Sequence, residues 1–84
     1  MSRRSKLIAR LERTPRDFTW AELVTLLEGL GYSEVKRGKT AGSRRRFVHA
    51  TAAMISLHEP HPGSELRAYQ VKLVLETLKQ EELI

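Results

Sequence analysis

Residues Lys36–Pro62 read KRGKTAGSRRRFVHATAAMISLHEPHP, and the alternation within this stretch decides the fold. Apolar and polar side chains take turns from Arg44 to His49. They do so again from Met54 to His58, where Ile55 and Leu57 share one face and Met54, Ser56 and His58 the other. A period of two is that of a half-buried strand. The turn Gly38 to Gly42 precedes the first run, and a third alternating segment, Tyr32 to Lys36 around Val35, precedes the turn. Three such runs with short connections predict a three-stranded antiparallel meander. Pro60 and Pro62 end it, since proline has no N–H for a ladder and biases the preceding residue away from helix.

The same stretch carries the charge. Lys36, Arg37, Lys39, Arg44, Arg45 and Arg46 place six cations and no acid in eleven residues, whereas the other 73 residues hold nine basic and ten acidic side chains. The formal excess of +5 therefore comes from this segment. A local basic patch is the electrostatic footprint of a protein that meets phosphates, although a solvated hairpin kept for solubility reads the same way.

Outward from the strands lie helices. Thr19 and Glu22 have capping-box spacing, Phe18 and Leu23 stand where a hydrophobic staple clasps a helix start, and Leu23, Leu26, Leu27 and Leu30 form one stripe. Gly29 to Gly31 should end that helix, because glycine tolerates the left-handed conformation of a C-terminal cap. Upstream, Leu7, Ile8 and Leu11 give Ser2 to Arg13 one apolar edge, closed by Thr14 and Pro15. Downstream, Val71, Val74, Leu75 and Leu78 predict a helix from Ala68 to Gln80. The expected order is α-α-β-β-β-α, an α+β fold with the helices on one face of a three-stranded antiparallel sheet.

A small sheet covered on one face leaves the other to water. With Val35, Phe47, Ile55 and Leu57 pointing inward, the open face carries Tyr32, Glu34 and Lys36, then Arg44, Arg46 and Val48, then Ser56 and His58. Arg45 and His49 share the parity of Phe47 and are expected at strand ends, where an inward polar group still reaches the surface.

At 84 residues the chain is expected to form one domain, with residues 1–16 as an N-terminal helical extension. It has no cysteine, which removes disulfides, thiolate nucleophiles and thiolate metal sites. No apolar run approaches a membrane span, and the polar start MSRRSK is unlike a signal peptide, so a cytoplasmic protein without a membrane partner is expected.

Four segments, FTWAELVTLLEGLGY (18–32), KRGKTAGSRRRFVH (36–49), ISLHEPHPGSEL (55–66) and YQVKLVLETLKQEELI (69–84), together resemble the HicA toxins of prokaryotic toxin–antitoxin pairs. The resemblance lies in Gly-Ser before a polar-aromatic strand, then His-Pro-Gly, then a last helix, in this order and at this length. It implies a double-stranded-RNA-binding-domain-like fold, ribosome-independent mRNA cleavage, a HicB-type antitoxin as partner, and a bacterial or archaeal cytoplasm. In the family the motif is Gly-Ser-His, with that histidine taken as catalytic. Here Gly42 and Ser43 are followed by Arg44, so the catalytic residue does not carry over directly.

RNA cleavage without metal or other cofactor needs a base for the 2′-hydroxyl, an acid for the leaving 5′-oxygen, and cations for the charge on phosphorus. Histidine suits the first two roles because both protonation states are accessible near neutral pH, whereas arginine stays charged and binds. His58, on the open face with Arg44 and Arg46, is the first candidate; His61 and His49 follow. Against these stand structural readings: His49 closing a strand by bonding a loop, and His61 as a turn residue seating the last helix. Lys36, Arg37, Lys39, Ser43, Arg44, Arg45 and Arg46 are the expected RNA-binding residues. The histidines do not make a metal site, since no cysteine or well-placed carboxylate completes a tetrahedron. Two other functions fit the same residues: an RNA-binding module without catalysis, and a DNA-binding or protein-interaction domain, for which there is no cationic recognition helix.

Overall fold

In a computed structural model, which describes residues 3–35, 44–60 and 63–84, the capping box at Thr19 is formed from both sides. The Thr19 hydroxyl accepts the Glu22 amide N–H, and the Glu22 carboxylate accepts the Thr19 N–H. Phe18 and Leu23, the staple pair, are both fully buried. The helix this start nucleates, α2, runs Trp20–Gly29. It ends in a Schellman motif, with the Tyr32 N–H donating to the Leu27 carbonyl and the Gly31 N–H to that of Glu28. Gly31 takes φ +101°, as that motif requires of its C′ residue.

The other elements are α1 (Arg3–Glu12), β1 (Ser33–Val35), β2 (Arg44–Val48), β3 (Ile55–His58) and α3 (Ala68–Gln80), in the expected α-α-β-β-β-α order. The strands form one antiparallel sheet, β1-β2-β3, with β2 central. Helix α2 packs on β1, α3 on β3, and α1 on both helices. Phe47, Ile55 and Leu57 meet Leu23, Leu26, Leu27, Val71, Val74 and Leu78 in one core, and Trp20 tilts against Phe47 with ring centroids 5.7 Å apart. Leu7 and Leu11 bring α1 into that core. Two backbone bonds, Trp20 N–H to the Ser64 carbonyl and Leu66 N–H to that of Phe18, tie the start of α2 to the chain entering α3. The molecule is an α+β protein with a double-stranded-RNA-binding-domain-like fold.

The first strand departs from the expected parity. Glu34 pairs with Phe47 and Val35 with Arg46, so Glu34 faces the helices and Val35 the open side, where it is 39% exposed. Tyr32, expected on the open face, is buried, and its hydroxyl donates to the Ala53 carbonyl. Strand parity is set by the register of the pairing. A glutamate can take the inward position because Arg45 on β2 reaches its carboxylate.

Candidate nucleic-acid interface

The register of β2 with β3 builds the site. Arg44 stands directly opposite His58, Arg46 opposite Ser56, and Arg45 opposite Leu57. Opposed residues share a face with Cβ atoms about 4.5–5.5 Å apart. The open face thus carries Arg44, Arg46, Val48, Ser56 and His58, with Ser33 and Val35 from β1. Arg44 and His58 are exposed, and the central Arg46 and Ser56 are half-buried. This is where the alternation within Arg44–Val48 and Ile55–His58 puts them.

The three adjacent arginines separate by parity. Arg45 lies on the helix side, its Nε 3.3 Å from Glu34 and an Nη 3.4 Å from Glu59. The bridge lines an open groove between α2 and the sheet, shared with Trp20, Ala21, Val24 and Thr25.

The histidines separate as well. His49 follows β2 and has both ring nitrogens bound to backbone. Nε2 donates to the Leu30 carbonyl, and Nδ1 accepts the Thr51 and Ala52 amides, which defines the neutral Nε2–H tautomer. The ring meets Tyr32 edge-on at 4.9 Å. His49 therefore fastens the end of α2 to the β2–β3 loop. His58 closes β3, with its ring on the open face and its carbonyl accepting a hydrogen bond from the Gln70 amide at 2.8 Å. His61 lies outside the described residues, as do Lys36, Arg37, Lys39 and Ser43. Among the described residues no group of three histidine or acidic side chains is placed to hold a metal ion.

Gln70 is the residue sequence reasoning missed. It is 2% exposed, on the first turn of α3; its Oε1 accepts the Arg67 N–H while its Nε2 reaches His58. The available signal was a polar residue four before Val74, on the apolar stripe of that helix.

The open sheet face thus sets Arg44 opposite His58 and Arg46 opposite Ser56, on a fold of the double-stranded-RNA-binding type. The family model described as the HicA toxin of bacterial toxin–antitoxin systems matches residues 20–80, most of the chain, which therefore belongs to the HicA toxin family. Membership makes it the toxin of a toxin–antitoxin pair, a nuclease class with RNA as substrate and a cognate antitoxin as partner. No curated protein and no solved structure matches the chain significantly.

Proposed function

We propose that the protein is an mRNA endoribonuclease of the cytoplasm in which Arg44 and Arg46 clamp the scissile phosphate and His58 transfers the proton. The direct opposition of Arg44 and His58 on the open face carries this reading. In the family's motif a histidine stands where this chain has Arg44, and His58 is the cross-strand neighbour of that position. One phosphate held by Arg44 is therefore within reach of the His58 imidazole. In the reaction the 2′-oxygen loses its proton and attacks the adjacent phosphorus, the bond to the 5′-oxygen breaks, and that oxygen takes up a proton. The arginines stabilise the extra charge on the phosphoryl oxygens in between. His49 is assigned a structural role, because both its nitrogens are in use. His61 stays a candidate for the second proton transfer on sequence grounds. The antitoxin is expected to present acidic groups to Arg44 and Arg46 and to cover His58.

The test is cleavage of single-stranded RNA by purified protein with a chelator present. The parent should cut, and His58→Ala should be about 10² to 10⁴ slower with RNA binding retained. A parent-like rate for His58→Ala, with His61→Ala or His49→Ala inactive, would move the role elsewhere. The Arg44 substitution also favours a second reading, RNA binding without cleavage, and a parent that binds but never cuts would establish it.

A further inference from the structure

The near-neutral sum of charge outside Lys36–Arg46 conceals a second basic concentration. Residues 1–16 contain Arg3, Arg4, Lys6, Arg10, Arg13 and Arg16 against a single acid, Glu12. All of these precede the family-matched residues 20–80. The structure sorts these cations by what already engages them. Arg4 donates to the Gly29 carbonyl at 2.7 Å, at the negative end of the α2 dipole. Arg10 pairs with Asp17 and Glu22 and lies over the Phe18 ring. Lys6, Arg13 and Arg16 are exposed and enter none of the ion pairs seen among the described residues. The apolar edge of α1 is used by the core through Leu7 and Leu11, so charge is what the helix offers outward.

This charge continues toward the site. Arg16 lines an open groove of about 370 Å³ together with Arg67, Gly63 and Pro60, with Glu65 as the one acid among the described lining residues. Two exposed guanidinium groups from separate segments thus share a groove that the chain enters at Pro60, two residues beyond His58. Arg16 and Arg67, brought to one groove, repel one another, exposed Lys6 and Arg13 on the N-terminal segment add to the positive potential, and a polyanion relieves that repulsion while releasing its own counterions.

We propose that Lys6, Arg13, Arg16 and Arg67 form a second cationic surface that holds the phosphate backbone of single-stranded RNA after it leaves the sheet past Pro60. This rests on the reading of the sheet face as an RNA site, and it adds the N-terminal helix to the substrate-binding surface. Binding there is sequence-independent and lengthens the footprint. It therefore strengthens binding of long strands and leaves a short oligonucleotide confined to the sheet unaffected.

The experiment compares the parent with a variant carrying Lys6→Gln, Arg13→Gln, Arg16→Gln and Arg67→Gln. Affinity is measured over a salt series for a short and a long 2′-O-methyl RNA, which cannot be cut through a 2′-hydroxyl, so binding is read whether or not the protein cleaves. For the long strand the log–log salt slope should flatten by about 0.7 per lost contact, up to about 3 for all four, with affinity at low salt falling tenfold or more. The short strand should bind as to the parent. A variant with Arg13, Arg16 and Arg67 changed to Lys keeps the charge and should keep the slope, and circular dichroism checks that both are folded. Equal long-strand binding by parent and Gln variant overturns the proposal. So does a Gln variant that binds long RNA normally and loses affinity for the antitoxin, which would make the surface a protein-docking site. A parent that binds neither RNA overturns the sheet reading beneath it.

Discussion

A guanidinium held 3.3 Å from Glu34 and 3.4 Å from Glu59 is engaged locally, whatever charge its neighbours in sequence present to solvent. Glu34 has a side chain only 15% exposed, so Arg45 neutralises a carboxylate that solvent reaches poorly. Arg45→Leu should therefore cost about 1–3 kcal/mol in urea denaturation, the usual penalty for stranding a poorly hydrated polar group. Pairing it with Glu34→Leu should recover most of that loss, because the stranded charge is then gone. RNA affinity should stay near the parent's for Arg45→Leu and drop for Arg46→Ala. Equal losses of affinity would show that Arg45 reaches the RNA from the helix side. Arg44, Arg45 and Arg46 are indistinguishable by composition; strand parity is what gives the middle one a different task.

Between elements, a buried amide adds a polar tie to the apolar packing of α3 on β3. Gln70 donates to the His58 carbonyl and accepts the Arg67 N–H, so the first turn of α3 and the end of the catalytic-candidate strand are held by one side chain. Gln70→Leu keeps volume and loses both bonds. Gln70→Glu, ionised, keeps the acceptor for Arg67 and loses the donor to His58. If the donor positions His58, both variants should lower kcat and leave KM and RNA affinity close to the parent's. A normal kcat in Gln70→Glu would limit the residue to packing. The elements themselves were readable in advance. The capping box, the staple pair and the glycine at the helix exit are local chemistry, and α2 begins and ends where they say. The stripe of α3 likewise predicts Ala68–Gln80.

Across the whole molecule, the hydrogen bonds of Tyr32 join α2 to the β2–β3 loop within the field of the Glu81 carboxylate, and they have a pH signature. Burial, with the Glu81 carboxylate adding to it, raises the Tyr32 phenol above its ordinary value of 10.0. The folded protein then holds this proton to higher pH than the unfolded chain. The stabilisation is complete below the unfolded value and is lost as pH rises past it and through the folded one. Tyr32→Phe should lose about 1 kcal/mol at neutral pH through the missing bond to Ala53, and its urea midpoint should fall less steeply than the parent's in alkali. Parallel alkaline declines would place the titrating group elsewhere. The element order, the capping box and glycine exit of α2, and the outward parity of Arg44 and Arg46 on β2 and of His58 on β3 were legible in the sequence, because each follows from spacing within its own segment once the apolar side of each strand is buried. Only the tertiary structure decided the inward turn of Glu34 and Tyr32, the backbone-bound state of His49 and the reach of Gln70 to His58. Those depend on which residue of one strand faces which of another and on how a helix docks, and no local periodicity encodes either.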